Sequence, residues 1–214
     1  MQEKMLLNLI LLGIIIIISI SFHEFSHTLA AYLLGDSTSK DQGRLTLDPS
    51  KQITFLGLIF MILTLFRFGW GNPTPINSSN LKNPKLDILI ISIVGPLSNF
   101  LISIISLIII KLLVISSINI TTTNKIINIL YEVIMINIGL GIFNLIPIPP
   151  LDGGNFLLYI TRNNTINKYI TQYSLYLLIL IILPIIPWNG GYYSIIDFII
   201  MPIIDKIYSV LILL

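Results

Sequence analysis

Long apolar runs, rich in isoleucine and leucine, alternate with short polar stretches along the chain. They occupy residues 5–34, 86–110, 125–146, 167–186 and 192–214. Each reaches the roughly 20 residues that carry a helix across a bilayer core. Isoleucine forms helix poorly in water. In lipid the backbone must satisfy its own hydrogen bonds, so helix is the expected state of all five. A sixth run, 53–66, is too short to span comfortably and has the length of a re-entrant or interfacial piece. After it, Arg67-Phe68-Gly69-Trp70-Gly71-Asn72-Pro73-Thr74-Pro75-Ile76-Asn77 carries too much glycine and proline for a helix. It predicts a short extended, β-like piece over 67–78, with Trp70 at headgroup level. Residues 35–52 hold the densest charge and read as a solvated loop. The expected fold is an all-α integral membrane protein. It is a polytopic helix bundle of about five spans plus one re-entrant segment (53–66) and the extended piece. One membrane-embedded domain is expected over 1–214, with a core at 5–160 and two accessory helices in 166–214.

Composition narrows the function. Of 214 residues, 55% are hydrophobic and 10% charged, whereas soluble domains are about a quarter charged. A soluble enzyme, a disordered tail and a nucleic-acid binder are excluded. The net charge of +2 gives no basic field for nucleic acid. With no cysteine there is no disulfide, iron–sulfur cluster or thiol nucleophile. The first run exceeds the about 7–15 apolar residues of a signal-peptide core and lacks a small-x-small cleavage site, so it is expected to stay.

Both histidines of the chain lie in His23-Glu24-Phe25-Ser26-His27, near the end of the first run. On a helix, positions i and i+4 share a face, so two imidazoles can grip one tetrahedral metal. Glu24 lies beside them, close enough to hold a water. This is the H-E-x-x-H pattern of zinc proteases. Metal lowers the pKa of a water it holds to about 7, and a neighbouring carboxylate can take the proton. Within a membrane helix such ionisable residues are costly and mark function.

A catalytic zinc takes three protein ligands. With no third histidine, the third must be a carboxylate: Asp36, Asp41, Asp48, Asp87, Glu132, Asp152, Asp197 or Asp205. Asp152 stands out. It follows Pro147-Ile148-Pro149-Pro150-Leu151 and precedes Gly153-Gly154; the prolines break helix and leave carbonyls that only a polar cavity satisfies. Asp36 as a helix-end residue and Asp197 as an interfacial one remain alternatives. Asp152 can meet the histidines only if the 5–34 and 125–146 helices exit on one side. That requires 86–110 to cross once and 53–66 to turn back. Under this topology the exit side collects Lys40, Arg44, Lys51, Arg67, Lys82, Lys85, Arg162 and Lys168, against Lys4, Lys111 and Lys125 opposite. By the positive-inside rule the exit side is cytosolic, the N-terminus is outside and the metal lies nearer the cytosol.

These residues resemble the site-2 protease family of intramembrane zinc metalloproteases, peptidase family M50. The resemblance spans roughly residues 15–160. It rests on His23-Glu24-Phe25-Ser26-His27 and on Asn144-Leu145-Ile146-Pro147-Ile148-Pro149-Pro150-Leu151-Asp152-Gly153, which matches the family's N-x-x-P-x-P-x-L-D-G pattern. Gly43-Arg44-Leu45-Thr46-Leu47-Asp48-Pro49 and Gly95-Pro96-Leu97-Ser98-Asn99 are similar to stretches of bacterial and archaeal members. The resemblance implies one Zn2+ per chain held by His23, His27 and Asp152, and Glu24 as catalytic acid/base. It also implies Asn144 as a substrate-binding group that keeps the substrate backbone extended, and Asn99 in a supporting role behind the metal. The substrate class would be transmembrane or membrane-anchored proteins in a prokaryotic cell membrane. Many members carry a PDZ or CBS domain; no room for either is found here, so a minimal type is expected. For the extended piece, 68–76 is the expected template for an unwound substrate by β-addition. Asn137 reads as helix–helix hydrogen bonding, and Gly139 and Gly141 as sites of close helix packing. Tyr192, Tyr193 and Trp188 read as an interfacial aromatic belt. Two rival readings use the same residues: a membrane divalent-metal carrier, and a membrane protease of another H-E-x-x-H class.

Overall fold

The computed structural model describes residues 2–63, 71–116, 120–161 and 164–212. Helix dominates, in chain order α1 (Gln2–Leu33), α2 (Thr38–Asp41), α3 (Pro49–Gln52), α4 (Phe55–Leu63), α5 (Pro84–Ile115), α6 (Ile120–Asn144), α7 (Asp152–Ile160), α8 (Asn164–Ile182) and α9 (Ile195–Ile212). A two-stranded hairpin, β1 (Ile186–Trp188) and β2 (Gly191–Tyr193), separates α8 from α9.

Three helices are long and apolar enough to cross a membrane, over Met5–Leu33, Pro84–Ile115 and Thr123–Asn144. The other two expected spans do form as α8 and α9. However, α8 opens on a polar half (Asn164, Thr165, Asn167, Lys168, Thr171, Gln172), and α9 carries Asp197, Asp205 and Lys206. Among the described residues, the helical part of the 53–66 run is 9 residues, about 13 Å at helical rise.

The bundle is built around α5, which packs against α1, α6 and α7. Its inward face is small and polar, with Ser92, Gly95, Asn99, Ser103 and Ser106 buried. Its outward face shows Leu101, Ile104 and Ile108, each more than half exposed. A polar interior under an apolar exterior suits lipid, where close backbone approach and hydrogen bonds, rather than apolar burial, join helices. Gly141 of α6 faces the Phe100 ring so closely that an added Cβ would lie 2.7 Å from it; Gly139 meets nothing within 4 Å. The close-packing expectation therefore holds for Gly141 and not for Gly139.

Residues 35–52 are not the expected solvated loop. They fold into α2, α3 and their turns, with Asp36, Ser39, Arg44 and Gln52 buried. Backbone groups supply many of their partners, although Arg44 Nε and Gln52 Oε1 are buried without one. Arg44 donates to the Pro73 carbonyl at 2.6 Å and to that of Asn72. Gln52 donates to the Arg44 carbonyl at 2.8 Å, and the Asn72 N–H donates to the Gln52 carbonyl at 2.7 Å. Gly71 forms an isolated antiparallel bridge with Ile53. Of the extended piece expected over 67–78, the described residues show one bridge residue, Gly71, followed by non-helical backbone up to a short 3-10 turn at Ser78–Asn80. Residues 64–70, and with them Arg67, Phe68 and Trp70, lie outside the described residues, as does Arg162.

The hairpin was not expected. Its turn is Asn189-Gly190, both at positive φ (47° and 81°), the dipeptide that suits a two-residue β-turn. Trp188 and Tyr192 are more than half exposed on it.

Asp36 fastens the end of α1 to this layer. Its carboxylate accepts from the Thr38 and Asn77 backbone N–H groups at 3.1 and 2.7 Å and from Asn80 Nδ2 at 2.9 Å. Burial acts to raise its pKa; the hydrogen bonds from Thr38, Asn80 and Asn77 outweigh burial and hold it below the ordinary value. A depressed carboxylate contributes stability above its unfolded pKa, about 4, and loses it as pH falls through the lower folded value. Asp36→Ala should therefore cost about 2 kcal/mol at neutral pH. Melting of detergent-solubilised protein at stepped pH should show this deficit shrinking in acid.

Candidate active site

His23 and His27 lie one turn apart on α1 with rings 4.7 Å apart, nearly perpendicular. Both are buried. Their Nε2 atoms are 3.1 Å apart. Asp152, the first residue of α7, brings Oδ2 to 3.0 Å from His23 Nε2 and 3.2 Å from His27 Nε2. The three atoms form a nearly equilateral triangle, the one grouping of its kind found among the described residues.

The far side of each ring fixes its protonation. His27 Nδ1 lies 2.7 Å from the Ile91 carbonyl, which can only accept, so the proton is on Nδ1. His23 Nδ1 lies 2.7 Å from Asn99 Oδ1, which imposes the same tautomer. Each neutral ring thus turns a bare Nε2 lone pair toward the triangle. Asp152 Oδ2 is buried with no hydrogen-bond donor. With both rings neutral, two lone pairs and an anion this close together make a donor set for one cation. Zinc bonded at 2.0–2.1 Å sets tetrahedral ligands about 3.3–3.4 Å apart, within a few tenths of an ångström of the observed separations. The donor set is nitrogen and oxygen, as zinc accepts, and each imidazole has the outer hydrogen bond that metal-binding histidines require. The residues fit the ion.

Glycines let these parts meet. A Cβ on Gly95 would fall 2.3 Å from His27 Nε2 and 2.8 Å from His23 Cε1. On Gly153 it would fall 2.2 Å from the Leu145 carbonyl oxygen, and on Gly154 2.1 Å from the Pro149 nitrogen. The first turn of α7 therefore nests on the backbone of 145–149, and this aims Asp152 back at α1. Pro96, inside α5, has no N–H for the helix ladder, one turn from the carbonyl that His27 uses.

The other carboxylates named as possible third ligands do not converge. Asp36 is spent as described. Asp48 and Asp87 accept from the N–H groups of Ser50 and Asn83, Asp197 from Ser194, and Asp41 from the Ser37 hydroxyl. Glu132 and Asp205 are exposed.

Glu24 is half-buried next to the triangle, within electrostatic reach of His27, His23, Asp152 and Arg44. Thr74 Oγ1 lies 3.3 Å from Glu24 Oε2. Gly71 approaches so closely that a Cβ would lie 2.4 Å from Glu24 Oε1. The extended piece from Gly71 thus runs directly past the carboxylate, its carbonyls at 72 and 73 gripped by Arg44. Asn144, the last residue of α6, is half-buried and donates through Nδ2 to the Leu140 carbonyl at 3.0 Å. Asn99 stands directly behind His23. Gly71 and Thr74 lay within the 68–76 segment expected as substrate template but had no role of their own; Gly95 and Arg44 had none at the site, although short motifs singled out their neighbourhoods.

Gly95→Ala should fill the space the imidazoles occupy while improving helix propensity. Zinc bound per purified chain should fall sharply while helical circular dichroism is unchanged.

Residues 109–185 match the model of Peptidase family M50. The chain is 37% identical over 147 residues to a Bacillus subtilis (strain 168) protein named "Putative zinc metalloprotease YwhC", an alignment covering 66% of this chain and 65% of that one. It is 40% identical over 73 residues to two Streptococcus pneumoniae proteins, named "Putative zinc metalloprotease spr0242" and "Putative zinc metalloprotease", covering 31% of this chain and 17% of each of theirs. The chain therefore spans less than two thirds of the length of these relatives. No solved structure gives a significant match. By its matched residues and its likeness to these relatives, the chain is similar to peptidase family M50.

Proposed function

We propose that the protein is a zinc metalloendopeptidase that cuts peptide bonds of transmembrane or membrane-anchored proteins within the bilayer. The observation that carries this is the buried triangle of His23 Nε2, His27 Nε2 and Asp152 Oδ2, with Glu24 beside it. His23, His27 and Asp152 hold one zinc ion per chain. When bound, zinc supplies Lewis acidity, polarising the scissile carbonyl and making a water acidic near neutral pH. Glu24 is the general base that accepts the water's proton and then the acid that returns it to the leaving amine.

A substrate helix hides its peptide bonds in its own hydrogen bonds and must unwind before cleavage. The segment 71–76 is the template for the unwound strand. It is already extended, lies against Glu24 through Gly71 and Thr74, and is held from behind by Arg44. Main-chain pairing along it would hold a substrate extended whatever its side chains. Asn144 supplies a second polar hold on the substrate backbone. Asn99 keeps His23 in its metal-ready tautomer.

The same reading takes the protein as multi-pass in a prokaryotic membrane, its N-terminus outside and its active site toward the cytosolic face. The charge distribution along the sequence supports this. So does the position of His23 and His27 past the midpoint of the Met5–Leu33 span, by about 6 and 12 Å at helical rise. With that count, α4 turns back without crossing, and α8 and α9 complete the bundle. A metal carrier would favour ligands at the midplane, and a protease of another H-E-x-x-H class would take a glutamate as third ligand in place of Asp152.

Two substitutions separate these readings. Glu24→Gln should lower cleavage by at least about 10²–10⁴-fold while zinc content stays at one per chain. Comparative proteomics of membrane fractions from cells carrying either form should then show single-span proteins accumulating uncut. Undiminished cleavage by the variant would contradict the protease. Asp152→Ala should lose zinc; retention of the ion would contradict the ligand set.

A further inference from the structure

We propose that Asn137, a residue of α6 with no contact to the metal triangle, is a positioning residue that sets the proton of His23 through Asn99. The inference rests on the metal-centre reading above. Asn137 is fully buried in the middle of α6, with 0% of its surface exposed, as is Asn99 on α5. An asparagine amide has two nearly isosteric orientations, one turning oxygen and the other nitrogen toward a given neighbour. Here a backbone carbonyl decides between them.

The atom of Asn137 that lies 2.9 Å from the Val133 carbonyl must be Nδ2, because a carbonyl can only accept. Its second hydrogen goes to Ser19 Oγ on α1, also at 2.9 Å. Oδ1 is then the atom turned toward α5. Its partner, 2.9 Å away, must be a donor, so Asn99 presents Nδ2 there. Asn99 Oδ1 is thereby turned to His23 Nδ1 at 2.7 Å, and that nitrogen must carry the proton. His23 Nε2 is left bare for the triangle. Reversing the Asn99 amide would set Nδ2 against Nδ1–H and Oδ1 against Oδ1. No water reaches this fully buried pair to relieve either clash, so both would be paid in a low-dielectric interior. The Ser103 hydroxyl, 3.1 Å from the Asn99 carbonyl and 3.3 Å from that of Ile134, bridges α5 and α6 alongside.

A role as simple helix–helix glue makes a different prediction, and Asn99→Asp exposes it. A carboxylate offers an oxygen to His23 Nδ1–H in either orientation, so it needs nothing to orient it. Zinc affinity is measured by chelator competition on purified protein in detergent, for wild type, Asn137→Leu, Asn99→Asp and the double variant, each with a melting curve without metal. Asn137→Leu should weaken zinc about 10–100-fold in the wild-type background, as loss of an outer hydrogen bond to a ligand does. In the Asn99→Asp background the same change should weaken zinc less than about 3-fold. Equal loss in both backgrounds, or no loss in the wild type, would overturn the proposal. Asn137→Ser carries the same expectation should the leucine variant not fold. A folded wild type that takes up no zinc would overturn the metal-centre reading itself and this inference with it. A wild type that binds zinc while Asn137→Leu binds equally well removes this inference alone.

Discussion

Two imidazole nitrogens and one carboxylate oxygen face one another across 3.0–3.2 Å in a buried corner. With both rings neutral, that cluster is repulsive, and a shared metal ion would turn it attractive. The rest of the site follows from meeting that constraint. The Ile91 carbonyl and Asn99 load the outer nitrogens with protons so that the inner ones are free. Both outer partners come from α5, the helix against which α1 packs. Asp152 arrives from α7, which also packs on α5.

Such convergence demands close backbone approach, and glycine is what permits it. Gly95 leaves the volume that the two rings fill, and Gly153 and Gly154 let the start of α7 lie on the proline-rich bend before it. Gly71 does the same for the extended segment beside Glu24. The polar folded layer of 36–52 then has a mechanical sense. Arg44 and Gln52 bury their side chains to hold the backbone of 72–73, and Asp36 ties that layer to the end of α1. A strand presented to a substrate must be rigid before the substrate arrives, because every degree of freedom frozen on binding weakens it.

The elements of the bundle and the core of the site were legible in the sequence because their signals are local. An uninterrupted apolar run admits only helix in lipid, and α1, α5 and α6 lie within a few residues of the runs that announced them. The four-residue spacing of His23 and His27 fixes their shared face, and the prolines before Asp152 mark a break where a carboxylate can turn inward. What failed was non-local or overlooked. Each of Asp36, Arg44 and Gln52 has a partner 20 to 44 residues away, so the sequence showed only their charge and polarity, which read as solvent exposure. Asn137 meets partners 38 and 118 residues distant. The hairpin at Ile186–Tyr193 had a visible signal in Asn189-Gly190, but its aromatic residues drew the reading toward a membrane interface. The polar half of α8 and the charges of α9 were equally visible and make those two helices weaker spans than a bare count of apolar positions suggests.

X-ray absorption at the zinc edge on purified, detergent-solubilised protein tests the centre most directly. A metal site built from His23, His27 and Asp152 should give one zinc per chain, with nitrogen and oxygen neighbours at about 2.0–2.1 Å and the outer-shell scattering of two imidazoles. A folded protein without stoichiometric zinc, or a spectrum with fewer than two imidazoles, would contradict it.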